Sequence, residues 1–256
     1  MRAAWEQYEQ LSPGEAATHI QPFLTKAMAL LSRPAVRAVV ASPNPKLDVG
    51  QLLSERRWLL VGLSPGRLGE PAAQLMGAVL MYVVWSAIEA RAALSPAERH
   101  PIYLYVDELA TLAGLPFSFK LLAERARGLG AGLVVAMQTV SRLPEGVRRS
   151  LLGNVATLIT FRASAEEAAR LARELPGLTP EDLMALGPFE VAARIGTGAG
   201  SGVTVVTGHT EPPPPETGQA ATIRKRSAER YGASEPTPAT DGPTPDEDFR
   251  RTRRTS

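Results

Sequence analysis

From Trp58 to about Thr207, short aliphatic and β-branched runs alternate with longer helical stretches, the pattern of a mostly parallel sheet covered by helices. Trp58–Leu63, Ile102–Val106, Gly132–Met137 and Val155–Phe161 read as strands. They are apolar almost without interruption, which predicts burial on both faces. Helices are expected over Glu70–Leu94, Phe117–Gly128 and Ser164–Gly177, the last opening on Ser164 and Glu167 at capping-box spacing. Phe189–Gly196 and Gly202–Gly208 predict a hairpin around the glycine-rich stretch 197–202.

The flanks have a different texture. Residues 1–45 read as a helical lead-in or subdomain that breaks at Ser42–Asp48, residues 46–210 as the α/β core, and residues 211–256 as a tail. That tail is rich in proline and charge and poor in large apolar residues, so it is expected to be disordered. Pro71–Ile88 carries no charge and is about the minimum length of a membrane span. It contains Gln74 and Ser86 and runs into Glu89 and Arg91, which predicts a core helix instead.

Composition narrows the chemistry. None of the 256 residues is cysteine and only three are histidine, so thiolate or histidine-rich metal sites and disulfide frameworks are excluded. A net charge of +2 gives no global basic surface for nucleic acid. The start, Met1-Arg2-Ala3-Ala4-Trp5, does not read as a secretory signal, and a cytoplasmic location is the expectation.

Candidate chemistry gathers where the second strand stops, at Asp107-Glu108. Ligands of parallel α/β sheets bind outside the carboxyl ends of the strands. An apolar strand ending in two acids has the form of a Walker B motif, in which one carboxylate holds Mg²⁺ through water and the other polarises the attacking water. A charged strand end would give the same pattern. The following strand runs into Gln138, which either bridges the second carboxylate and a γ-phosphate or opens a loop. Between the two strands a helix ends in Arg125 and Arg127. They either complement its dipole or reach the nucleotide of a neighbouring subunit.

Taken in order, 59–70, a long small-residue helix, 102–114, 122–143 and 151–164 resemble the C-terminal half of the motor domain of TraG/TraD-like conjugative coupling proteins, from about Phe23 to Thr207. These are FtsK/HerA-class P-loop ATPases that move DNA toward a type IV secretion channel. The resemblance implies an incomplete RecA-like three-layer fold and assigns Asp107 to Mg²⁺, Glu108 to catalysis, Gln138 to sensing the γ-phosphate of ATP, and Arg127 to the arginine finger, with Arg125 second. It also implies a hexamer, DNA, relaxosome or secretion-channel partners, and membrane attachment only through a part preceding this segment.

The family's phosphate-cradling GxxxxGK[ST] has no counterpart, because the residues before Lys26, Lys46, Lys120 and Lys225 are Thr25, Pro45, Phe119 and Arg224. In the family that loop precedes the matched segment, and its strand lies beside the one ending in the sensor glutamine. The chain is therefore expected to be a fragment, a split product completed by another chain that supplies the Walker A half, or a decayed relative. Two other functions compete. One is a non-catalytic docking module that uses Arg224-Lys225-Arg226 and the arginines at 250, 251, 253 and 254. The other is a metal-dependent nuclease built on Asp107 and Glu108.

Overall fold

The computed structural model describes residues 8–40, 46–112, 119–196 and 202–232. The chain divides into two compact units, one of residues 1–48 with 217–256 and one of residues 49–216.

In the first unit, α1 (Pro13–Leu31) and α2 (Pro34–Val40) realise the expected helical lead-in. Helix α1 opens on a reciprocal cap in which Ser12 N and Oγ both donate to Glu15 Oε2, at 3.0 and 2.6 Å.

The second unit begins with α3 (Val49–Ser54), the single turn α4 (Pro65–Leu68) and α5 (Glu70–Ala90). Trp58–Leu63 is not a strand: it is irregular, and Trp58 is 90% exposed. A strand needs a neighbour's ladder, and no described strand pairs with this stretch. Helix α5 is long and apolar enough to cross a bilayer, but Met81, Val84, Trp85 and Ile88 lie in a hydrophobic core with Val106, Leu109, Phe119 and Leu122.

That core covers one face of two parallel strands, β1 (Ile102–Val106) and β2 (Ala131–Val135), paired from Ile102 opposite Ala131 to Val106 opposite Val135. Helix α6 (Phe119–Arg125) and a 3₁₀ turn, Ala126–Leu129, connect them. Residues 113–118, including the start of the helix expected from Phe117, lie outside the described residues. Ile102, Leu104 and Val106 alternate toward the core, whereas Tyr103, Tyr105 and Val134 are exposed. The expected burial on both faces is thus not met: one face of the parallel pair is bare.

Helix α7 (Glu145–Asn154) follows and leads into the remaining strands, which form a separate sheet. In it β3 (Thr157–Thr160), β4 (Glu190–Gly196) and β5 (Val203–His209) are antiparallel in the order β3-β4-β5. Between β3 and β4 lie α8 (Ala165–Leu171) and α9 (Pro180–Ala185), the latter capped by Thr179 and Asp182. A second core of Ala168, Leu171, Leu175, Leu183 and Ala192 holds this layer together. The class is α/β with a parallel pair, and the β4–β5 hairpin forms as expected, although residues 197–201 of its connection lie outside the described residues.

Residues 211–219 have no regular structure, but α10 (Ala220–Tyr231) is helical, which corrects the expectation of disorder for that part of the tail. No residue of α10 is buried. Its alanine, arginine, lysine and glutamate side chains are good helix formers, and no glycine or proline interrupts them. Residues 233–256 lie outside the described residues.

Candidate nucleotide site at the carboxyl ends of the parallel strands

Both parallel strands end at the same level, so the segments leaving them, Asp107-Glu108 and Gln138-Thr139, emerge from the same end of the sheet. The ladder continues one step beyond the strands, with Ala136 N donating to Val106 O at 2.9 Å. In regular alternation Glu108 N would donate next to Ala136 O. Leu109 N takes that place, at 3.0 Å, so one extra residue is accommodated at the acidic corner.

The extra residue has a conformational cost. Glu108 sits in the left-handed region at φ 52°, ψ 54°, a region disfavoured for a residue with a Cβ. Two bonds hold it there, from Thr111 N at 3.0 Å and Thr111 Oγ1 at 2.9 Å to Glu108 O, while Leu109 is fully buried behind it. This geometry leaves Asp107 exposed and half-buries Glu108, whose Oε1 has neither solvent nor a hydrogen-bond partner. A buried carboxylate oxygen with nothing donating to it is uncommon.

Across from it, Gln138 is exposed, and the next residue, Thr139, carries a second buried, unpartnered oxygen, Oγ1. The chain then enters a 3₁₀ turn, Val140–Arg142. Its first two amides donate to Glu167 on α8: Val140 N to Oε2 and Ser141 N to Oε1, both at 3.0 Å. Burial of Glu167 would raise its pKa, but hydrogen bonds from Ser141 and Val140 outweigh that and hold the carboxyl below its usual range. The capping box expected from Ser164 and Glu167 is therefore absent: Ser164 occupies the N-cap without a side-chain bond, and Glu167 serves another loop.

Arg127 is elsewhere. It lies in the 3₁₀ turn before β2, whose C-terminal Gly130 accepts from Ile102 N at 3.1 Å, so this turn abuts the amino ends of both strands. Five residues of strand, roughly 17 Å, separate it from the corner. The Arg127 side chain is exposed, with no ion pair among the described residues, whereas Arg125 forms an exposed ion pair with Glu89 at 3.7 Å. The structure thus places Asp107, Glu108 and Gln138 at the carboxyl ends of the parallel strands and Arg127 at the opposite end of the sheet.

The Arg127 turn is itself tied down by Arg99, which the sequence reading passed over. Its Nη1 donates to Gly128 O at 2.7 Å, and its Nε and Nη2 donate to Leu94 O at 3.0 and 2.7 Å. The turn closes on Gly130 at φ 71°, where a Cβ would meet Arg99 Cβ at 3.2 Å and Arg99 O at 3.3 Å.

The donor set fits part of an ATP–Mg²⁺ site. Asp107 and Glu108 could supply carboxylate oxygens to a water-bound Mg²⁺, and Glu108 Oε1 and Thr139 Oγ1 are buried polar atoms lacking partners. The triphosphate has no comparable cradle, since no lysine in the chain follows a glycine. Among the described residues there is no group of three histidine, aspartate or glutamate side chains able to hold a metal by itself.

A family model described as the type IV secretion-system coupling protein DNA-binding domain matches residues 60–180. No curated protein matches the chain. Among solved structures, the bacterial conjugative coupling protein TrwB, in its unbound monoclinic form, is 16% identical with a TM-score of 0.45, over 56% of this chain and 38% of that one. TrwB bound to the non-hydrolysable ATP analogue ADPNP is 16% identical with a TM-score of 0.44, over 56% and 37%. The genome-packaging NTPase of Sulfolobus turreted icosahedral virus 2, in complex with AMPPCP, is 14% identical with a TM-score of 0.39, over 52% and 61%. These overall likenesses are too low to carry function, and the chain spans less than two-fifths of the TrwB chains it matches. Residues 60–180, just under half of the chain, are thus similar to the DNA-binding domain of type IV secretion-system coupling proteins.

Proposed function

We propose that the chain carries the metal-and-water corner of the nucleotide site of a conjugative coupling ATPase. In this reading Asp107 holds Mg²⁺ through water, Glu108 orients the attacking water, and Gln138 senses the γ-phosphate. Bound Mg²⁺ would supply charge neutralisation at the phosphates. The observation that carries the reading is Glu108, held in a left-handed conformation at a bulged strand end with an unpartnered buried oxygen. Strained backbone and orphaned polar atoms concentrate where chemistry needs them poised.

Arg127 serves a neighbouring subunit in this reading, because its own corner lies at the far end of β1. The phosphate cradle comes from a polypeptide segment outside these residues, and the bare Tyr103–Tyr105 face fits a parallel sheet lacking part of its cover. DNA, relaxosome or secretion-channel proteins are the partners, a hexamer the assembly, and the cytoplasm the location. A non-catalytic docking role draws support from α10, where Arg224, Lys225, Arg226 and Arg230 are all exposed.

ATP hydrolysis by the purified chain, measured with and without DNA, tests the division of labour. The expected rate is background in both cases. Robust hydrolysis abolished by Glu108→Gln would show that the chain holds a complete site and overturn the need for an external cradle. Binding of DNA without any nucleotide binding would favour the docking role.

A further inference from the structure

Val140 is the only residue that packs against both hydrophobic cores among the described residues, the one behind β1 and β2 and the one beneath β3–β5. It lies two positions after Gln138, and its amide is held, with that of Ser141, by the buried Glu167 carboxylate. Glu167 stands on α8, whose Ala168 and Leu171 are in the second core. One carboxylate thus fastens the exit of β2 to the layer that carries the three-stranded sheet. Nothing in the alternation of β2 fixes where Gln138 and Thr139 go once the ladder with β1 has ended at Ala136. The two bonds from 140 and 141 do so.

We infer that Glu167 is the positioning residue that sets Gln138 and Thr139 at the mouth of the proposed nucleotide site, and that the Val140–Glu167 junction joins that exit to the β3–β5 layer. The inference rests on the functional reading above only for the ligand, since the junction itself is a matter of two amides and a carboxylate.

Amide hydrogen exchange of the full chain, resolved by NMR and run without nucleotide, tests it. Glu167→Ala should speed exchange at Val140 and Ser141 on the order of tenfold or more while leaving Ala192 and Ala193 in β4 nearly unchanged. Glu167→Gln, which retains one acceptor oxygen and the side-chain volume, should restore protection at one of the two amides. This variant also carries the test if the alanine variant does not fold. Unchanged exchange at 140 and 141, or loss spread evenly through β4, would overturn the inference, the latter by showing Glu167 to be general support for the core. A second run with millimolar Mg-ATP separates the two claims. Protection at Asp107–Leu109 and Gln138 in the wild-type chain supports the nucleotide reading and protection centred elsewhere counts against it, while the anchor stands or falls on the first run.

Discussion

Replacing Glu108 by glycine should make the protein more stable. Two costs vanish together. A residue with a Cβ at φ 52° carries roughly 1 kcal/mol of left-handed strain that glycine lacks. The buried, unpartnered Oε1 adds about 1–3 kcal/mol of uncompensated desolvation. Against these, glycine gives the unfolded chain more freedom, worth about 0.4–1 kcal/mol, and some packing of the half-buried side chain is lost. The balance is a gain of about 1–2 kcal/mol, or roughly 2–8 °C in Tm for a unit of this size. Glu108→Gln keeps the strain and the shape, so it should gain less. Urea unfolding followed by circular dichroism, with the wild-type chain and both variants at one pH, reads the difference. Destabilisation by Glu108→Gly of 1 kcal/mol or more would refute the reasoning, because it would mean that the carboxylate and its backbone geometry support the fold rather than strain it.

Gly130→Ala should destabilise by about 1–2 kcal/mol in the same assay, since the new Cβ sits at φ 71° with Arg99 Cβ at 3.2 Å. Leu109→Ala, which empties a fully buried site behind the acidic corner, should cost about 2–5 kcal/mol. Trp58→Ser should change stability by less than about 0.5 kcal/mol, because the indole is 90% exposed; a larger loss would restore the strand expected over Trp58–Leu63. For Glu167 the folded-state pKa is depressed, so its contribution is present above the unfolded value of about 4.3 and is lost as pH falls through the lower folded value. The stability difference between wild type and Glu167→Gln should therefore shrink as unfolding is measured from neutral toward pH 3; a constant difference would count against the pairing.

What the sequence disclosed, it disclosed through local pattern. Ile102–Val106 is a strand at the expected residues, and the helix expected from Glu70 does start there, because periodicity and propensity act within a few residues. Trp58–Leu63 has the same apolar character as those strands but stays irregular, since its neighbour decides pairing and no described strand supplies one. Ser164 and Glu167 match a capping box by spacing, yet Glu167 is drawn to amides 26 and 27 positions earlier, a tertiary contact that no local motif encodes. That Asp107, Glu108 and Gln138 leave the same end of the parallel pair was legible because topology puts the ends of parallel strands together. The bulge that turns Glu108 was not, and neither was Thr139. The same topology shows why Arg127, one helix later, does not join them within its own chain: a helix returning to start a parallel strand finishes at the amino ends of the strands, the opposite end of the sheet.

The central claim is that Asp107, Glu108 and Gln138 form the metal end of a nucleotide site. It is tested most directly by adding a trace of Mn²⁺ with millimolar ATP to the full chain and reading paramagnetic broadening residue by residue. The account predicts broadening centred on Asp107–Leu109 and Gln138–Thr139, lost in Asp107→Asn and sparing the Arg127 turn at the far end of the strands. Broadening centred anywhere else, or persisting undiminished in Asp107→Asn, would contradict it.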